Sequence, residues 1–544
     1  MRNKIILCVS GEISSGKSTL ATRLKESFAF LVFGTKEILQ GLAKHESSKR
    51  GTLQHLGEQL DQNTAGAWVR DNFTRSSFKS FPDQNRFIID AIRINYQLKH
   101  LRESYGNSIV HVHLEADKDV LASRYQDRLA GAKTPRSIKS EYKKAKANKT
   151  EIGVASLRDK ADLVIDTGHS TPDDVALRVV SFLGILPSIR DPMVDVLIGG
   201  QFGSEGKGQI CGYLAPEYEA LVRVGGPNAG HSVFAEPIDV FHMLPSGANR
   251  NARAKLILGP GAVLNLGKLM EEIRRYGVDT GRLLIDEQAT IITHDDIAEE
   301  ATLVSSIGST GQGVGYATAN NITNRKPSNK NKARDHSKEL MGFLGSSHEE
   351  LEKIFSRHGK VLLEGTQGAG LSLHHGFYPY VTSRDTNVSG CLAEAGIAPG
   401  RVRKIVMVVR TLPIRVESPE TGWSGPFLSD EISWDRVAER SGIDLEDLLS
   451  KEKTTTTDRK RRVAEFSWSL FRKACEINSP TDIALTFADY FSVKNRDARR
   501  IEQLTRETIH FVEEVERCAG VRVSLISTRF DYRSVIDRRA WKEG

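Results

Sequence analysis

Residues 194–231 read VDVLIGGQFGSEGKGQICGYLAPEYEALVRVGGPNAGH, and the reading of the larger part of the chain starts from them. An apolar run (Val194, Val196, Leu197, Ile198) enters Gly199-Gly200, the loop Gly203-Ser204-Glu205-Gly206-Lys207-Gly208 follows, and then a helix-like segment. Strand, glycine-rich turn and helix together place free backbone N–H groups and a helix N-terminus against an anion. Lys207 adds compact positive charge. A second turn, Gly225-Gly226-Pro227-Asn228-Ala229-Gly230-His231, follows another apolar run and brings an imidazole that can serve as acid or electrostatic partner.

Outward from this stretch, 544 residues exceed one typical domain, and 39% apolar with 27% charged residues is ordinary for a soluble globular chain. No run of about 18 apolar residues predicts a membrane span. Cys8, Cys211, Cys391, Cys475 and Cys518 are widely spaced without metal-ligand spacing, and read as buried thiols of a reducing cytoplasm. A net charge of +7 suits small anionic substrates and does not argue for nucleic acid.

The chain opens on a second such unit. Residues 4–10 (KIILCVS) read as a buried strand and pass into 11–19, GEISSGKST, a full match to the P-loop pattern with a helix-like segment after it. Amides from Gly11 to Gly16 and Thr19 would cradle nucleotide phosphates, Lys17 would reach the β and γ oxygens, and Ser18 would hold Mg²⁺. Residues 50–57 (RGTLQHLG), Trp68 and 87–93 (FIIDAIR) resemble deoxynucleoside monophosphate kinases. Asp90 and Arg93 then fall near Mg²⁺ or the acceptor phosphate. Arg124 and Arg128, four apart, form either a lid over the phosphoryl groups or surface ion pairs. Residues 161–166 are the closing strand, and the lysine-rich run 139–149 reads as a solvated helix face. Residues 181–192 carry two prolines and a glycine and mark the boundary. The expectation is α/β: two tandem P-loop-type α/β domains with mostly parallel sheets, kinase-like over 1–188 and a second domain over 193–544.

GQFGSEGKG followed by GGPNAGH resembles the adenylosuccinate synthetase family, whose first motif usually reads G-D-E-G-K-G and whose second reads N-A-G-H. The likeness continues in the family's order through 242–247 (HMLPSG), 308–315 (GSTGQGVG), 364–368 (EGTQG), 375–383 (HGFYPYVTS), 456–462 (TTDRKRR) and 526–528 (IST). It implies a two-step ligase. A nucleoside triphosphate, ATP or GTP, phosphorylates the 6-oxygen of a purine nucleoside monophosphate, and the amine of L-aspartate displaces that phosphate. By position, Lys207 and the amides of Gly203, Glu205, Gly206 and Gly208 hold the transferring phosphate. His231 stabilises or protonates at the 6-oxygen, and Gln367 hydrogen-bonds that edge. Asn228, Ala229, Gly230, Thr310 and Thr382 face the substrate, and Gly230 and Ser204 lie at Mg²⁺. Thr456, Thr457, Arg459 and Arg461 grip the dicarboxylate, while Asp489 and Ser527 face the donor nucleotide. The family also implies a homodimer.

Departures from the family pattern carry their own expectations. Ser204 stands where the family has an aspartate that takes the purine N1 proton and ligates Mg²⁺, so the proton needs another acceptor, water or Glu205. Serine leaves room at the purine 2-position and can accept from an amino group there. The phage-type branch shares this feature and acts on deoxyguanylate, which points to dGMP or GMP over IMP. Phe487 in 486–489 (TFAD) and Arg529 in 527–530 (STRF) replace guanine-reading positions, leaving GTP and ATP open with a tilt to ATP. Gln312 replaces a substrate-phosphate arginine. A kinase fused to such a ligase suggests consecutive nucleotide steps; the rival is a nucleotide-sensing protein whose site binds without turnover.

Overall fold

Strand Ile5–Gly11 alternates its apolar side chains between two faces: Leu7 and Val9 pack into one core, Ile6 and Cys8 into the other. A strand buried on both faces belongs inside a parallel sheet covered by helices. The computed structural model describes residues 4–42, 50–129, 135–147, 149–186, 188–453 and 459–540, in two units, Met1–Leu186 and Pro187–Gly544.

In the first unit Ile5–Gly11 is the middle of five parallel strands, ordered across the sheet as Leu31–Gly34, Arg86–Asp90, Ile5–Gly11, Ile109–Glu115 and Leu163–Asp166. The predicted closing strand is the last, at one edge. The chain leaves the middle strand where its neighbours run off in opposite directions, the switch point at which α/β sheets bind ligands. Gly11 has φ +144°, and a Cβ there would lie 2.2 Å from the Leu114 carbonyl oxygen, so only glycine fits.

The second unit holds a ten-stranded sheet. From edge to edge its strands are Leu344–Gly345, Leu283–Asp286, Lys255–Leu258, Ala220–Arg223, Val361–Glu364, Val194–Gly199, Val402–Arg410, Asp482–Thr486, Val523–Ser527 and Val535–Asp537. Only the last pairs antiparallel. Val196 and Ile198 face one core with Val222, Leu363 and Met407, and Leu197 faces the other with Leu221, Leu362 and Val406. The two α/β sheets, mostly parallel, agree with the fold class expected from sequence. In the second unit Gly199, Arg223, Glu364, Arg410, Thr486 and Ser527 all end strands on one side of the sheet. No helix among the described residues is long and apolar enough to cross a membrane.

Candidate active site

Strand Val194–Gly199 feeds the glycine loop, which ends in helix Lys207–Leu214; Gly206 before it has φ +83° and the helix has no side-chain cap. Inside the loop, Glu205 Oε1 accepts the amides of Gln201 (3.0 Å) and Gly203 (2.8 Å), and Oε2 accepts Lys207 Nζ at 2.6 Å. Lys207 also donates to the Gly203 carbonyl at 3.1 Å. Both side chains are buried. This corrects the sequence expectation that Glu205 could serve as proton acceptor. Its carboxylate is turned into the loop, where three hydrogen bonds hold the turn and pair it with Lys207. The Glu205 carbonyl accepts Thr486 Oγ1 at 2.6 Å, and a Cβ on Gly206 would sit 3.4 Å from the Phe487 ring.

His231 begins strand His231–Val233, packed so closely on the loop helix that a Cβ on Gly208 would meet its Cβ at 3.0 Å. Its Nδ1 is hydrogen-bonded to Glu364 Oε1. Glu364 also takes the Ser246 amide (2.8 Å) and hydroxyl, with Arg223 Nη1 3.6 Å away. Burial opposes ionisation of Glu364, yet Arg223 first, then His231 and Ser246, hold its carboxyl at about 2. Burial, then Arg223, pull the His231 imidazole down to about 4 against Glu364. At neutral pH the pair is therefore a carboxylate and a neutral imidazole whose Nδ1–H faces the carboxylate. The other nitrogen, Nε2, is buried with no hydrogen-bond partner among the described residues. Sequence reasoning quoted Glu364 and Ser246 without giving either a role and gave none to Arg223. A charged residue ending each of two buried strands was the available signal.

A cavity of about 180 Å³ gathers Gly203, Ser204, Asn228, Ala229, Gly230, Thr310, Gln367, Thr382 and Arg461. Lys207, His231 and Arg459 are not among its lining residues. Gln367, held at φ +63°, donates from Nε2 to Thr382 Oγ1 at 2.8 Å. Asn228 Oδ1, Thr310 Oγ1 and Gln367 Oε1 are buried without partners. Unpartnered polar atoms are costly to bury, so their convergence in one hollow marks a site for a polar ligand. Lys268 donates to Gln312 at 2.5 Å, returning a cation beside the position where sequence showed an arginine lost.

Arg461 donates to Glu452 at 2.9 Å, and Arg459 donates to the carbonyls of Gly308 (3.3 Å) and Ser309 (3.1 Å). Thr456 and Thr457 lie outside the described residues. On the donor side, Arg496 binds Asp489 Oδ2 at 3.1 Å while Oδ1 is buried without a partner, and burial pushes that carboxyl up to about 6. Ser527 Oγ accepts Gln209 Nε2 at 3.0 Å, tying strand Val523–Ser527 to the loop helix.

In the first unit a cavity of about 970 Å³ is lined by Gly16, Lys17, Ser18, Thr19, Arg93, Arg124 and Arg128. Lys17 donates to the Gly11 and Glu12 carbonyls, each at 2.7 Å, and Ser18 Oγ to Asp90 Oδ2 at 3.3 Å. Arg93 pairs with Glu151 at 2.5 Å. Arg124 donates to the Thr167 hydroxyl (2.9 Å) and carbonyl (2.6 Å), and Arg128 lies over the Tyr125 ring. Among the described residues neither Arg124 nor Arg128 forms an ion pair, and both border the cavity.

A family model for adenylosuccinate synthetase matches residues 196–330 and 326–496. The adenylosuccinate synthetase of Methanocaldococcus jannaschii is 34% identical over 354 residues, 63% of this chain and 96% of that protein. That of Methanosphaera stadtmanae is 35% identical over 357 residues, 63% of this chain and 97% of its own. Among solved structures, the cyanophage S-2L succinoaminodeoxyadenylate synthetase, bound to dGMP and to dATP as energy donor, superposes with a TM-score of 0.54 at 26% identity. It covers 65% of this chain and 97% of that one. The fully ligated Plasmodium falciparum adenylosuccinate synthetase gives 0.55 at 22% identity, covering 64% of this chain and all of that one, a likeness of fold.

Proposed function

This chain belongs to the adenylosuccinate synthetase family and is a ligase of that type, and from that premise we propose that its second unit joins L-aspartate to C6 of a guanylate, dGMP or GMP. The observation that carries the choice of purine is Ser204, a cavity-lining hydroxyl at the position of the family's aspartate. A carboxylate there crowds the purine 2-position, whereas a serine oxygen can accept from an exocyclic amine. The cyanophage relative, solved with dGMP, supports the reading. The curated relatives at 34–35% identity are adenylosuccinate synthetases and favour IMP as the second reading.

In the first step the N1 proton passes to water as the 6-oxygen attacks the γ-phosphorus of the triphosphate, the bond to the β-bridging oxygen breaks, and the diphosphate departs. In the second, the aspartate amine adds at C6, the C6–O bond breaks to release phosphate, and the amine gives its surplus proton to water. Lys207 and the loop amides hold the phosphoryl group, Lys207 passing from Glu205 to the incoming anion. His231, its Nδ1–H fixed on Glu364, turns Nε2 to the 6-oxygen edge; when the anionic phosphoryl group is bound, the ring takes a proton from solvent on Nε2 and donates it to that oxygen, and the Glu364 carboxylate stabilises the charge. Gln367 and Asn228 orient the base. Arg461 and Arg459 take the carboxylates of aspartate.

Mg²⁺ fits this site as an ion carried in on substrate phosphates rather than a resident of the protein. Among the described residues no cluster of three His, Cys, Asp or Glu side chains could hold it. Glu205 is engaged by Lys207 and two loop amides, so the Ser204 hydroxyl and Gly230 carbonyl would be the protein's oxygen donors. When bound it neutralises charge on the transferring group. Adenylosuccinate synthetases use GTP with Mg²⁺, and the tilt to ATP expected from Phe487 is not retained. The unpartnered Asp489 Oδ1 suits the N1–H and amino donors of guanine. The dATP of the cyanophage complex is the one observation favouring adenine.

The first unit, in this reading, is a nucleoside monophosphate kinase. Its support is the large cavity bordered by Lys17, Ser18, Arg93, Arg124 and Arg128. Ser18, beside Asp90, would hold Mg²⁺ there, which would neutralise charge on the nucleotide phosphates.

One experiment tests the ligase reading: incubate the protein with aspartate, Mg²⁺, GTP or ATP, and each of IMP, GMP and dGMP, and identify products by mass. Succinylated guanylate is expected. Ready consumption of IMP with GMP and dGMP untouched overturns the choice of purine. Binding of all three without aspartate-dependent phosphate release favours a nucleotide sensor.

A further inference from the structure

Glu452 closes helix Leu445–Lys451 as its C-cap residue, and its carboxylate lies among cations. Oε1 accepts Arg410 Nη2 at 2.9 Å and the Tyr490 hydroxyl at 2.5 Å, and Oε2 accepts Arg461 Nη1 at 2.9 Å. Glu452 and Arg410 are each 1% exposed at the side chain. Arg410 reaches onward: its Nη1 donates to the Ser204 carbonyl at 3.3 Å, and its guanidinium lies 4.0 Å from the centre of the Phe487 ring.

We propose that Glu452 is a positioning residue that sets the Arg461 guanidinium and the Ser204 loop by one carboxylate, so that the dicarboxylate grip and the phosphate loop form together. The inference rests on the ligase reading above and adds the residue that joins its two substrate sites. The buried Arg410 guanidinium and the part-buried Arg461 guanidinium repel each other unless an anion lies between them, and Glu452 supplies it. By engaging only Nη1 of Arg461, it leaves the Nε and Nη2 edge without a partner among the described residues, the edge that takes a carboxylate bidentately. Arg461 borders the cavity and Glu452 does not, so Glu452 acts through Arg461 and Arg410.

The test is Glu452→Gln, read as the KM for aspartate against kcat, with the Kd of the purine monophosphate from calorimetry and the melting temperature alongside. The aspartate KM is expected to rise on the order of 10- to 100-fold with a smaller fall in kcat, and Glu452→Asp to recover part of the loss. Should Glu452→Gln not fold, Tyr490→Phe removes one hydrogen bond to the carboxylate, and a rise of about threefold in the aspartate KM is expected with the purine Kd unchanged. An aspartate KM that does not move in either variant, in protein with normal turnover, overturns this inference alone. Equal loss in every kinetic constant together with a lowered melting temperature overturns it too, as a merely structural role. Unmodified protein that makes no succinylated product overturns the ligase reading and this inference with it.

Discussion

Arg223 and Glu364 end adjacent parallel strands in direct register, and Arg223 Nη1 lies 3.6 Å from Glu364 Oε1. The sheet therefore places a buried cation beside a buried anion at the edge where the glycine loops converge. Arg223 also donates to the Ala229 carbonyl at 2.8 Å, holding the turn that delivers His231 to the same carboxylate. One strand register thus fixes both the charge state of the imidazole and its direction.

Glu364→Gln keeps an acceptor for His231 Nδ1 but removes the negative charge that stabilises a protonated ring. A fall in kcat of about 100-fold is expected, with less change in the KM for the purine, by aspartate-dependent phosphate release. Arg223 also loses its counter-charge, so a destabilisation of roughly 3 kcal/mol is expected in urea unfolding.

Ser204→Asp tests the choice of purine at a single side chain. If the hydroxyl makes room for a 2-amino group, the carboxylate raises kcat/KM for IMP and lowers it for GMP and dGMP. The ratio between them should shift by about 100-fold or more. Competition assays with both substrates present measure that ratio directly.

The two phosphate loops separate by mutation. Lys17 and Lys207 each close on carbonyls of their own loop, and in the proposed reading each is the cation that meets incoming phosphate. Lys17→Ala is expected to cut conversion of monophosphates to diphosphates by about 100-fold while aspartate-dependent phosphate release is unchanged, and Lys207→Ala the reverse. Loss of both activities in either variant would contradict two independent sites.

Acid stability follows from the glutamates. Burial opposes ionisation of Glu452, but Arg410, Arg461 and Tyr490 hold it at about 2, as Arg223 does for Glu364. A carboxyl depressed in the folded state stabilises fully above its ordinary value near 4.5, and loses that contribution as pH falls toward 2. Asp489, raised to about 6 from 3.8, has the opposite sign, its contribution present below 3.8 and lost as pH rises through 6. Unfolding free energies from urea titrations between pH 3 and 8 should fall steeply below about 4.5, at up to roughly 1.4 kcal/mol per pH unit for each glutamate. Glu452→Gln should flatten that slope.

Much of the site was legible before the fold. Gly203, Ser204, Asn228, Gly230, Thr310, Gln367 and Arg461 were named from motifs and border one cavity. Glu205 was misread because a carboxylate beside a missing base looks available, and only its three partners show that it is spent. Arg410 and Glu452 were missed because neither carries a motif by itself. Each has meaning only through a partner, and Arg410 meets Ser204 across 206 positions of chain.

The sequence by itself determined the two strand–loop–helix units, the mostly parallel α/β class and the family, because glycine spacing and apolar runs are local properties of a chain. Only the tertiary structure decided that His231 faces Glu364, that Lys207 rests on Glu205, and that Glu452 bridges Arg410 and Arg461. Those pairings depend on strand register and on which buried charges find a counter-charge; the residues stand from two to 133 positions apart, and sequence spacing alone does not say which of the charges within reach will meet.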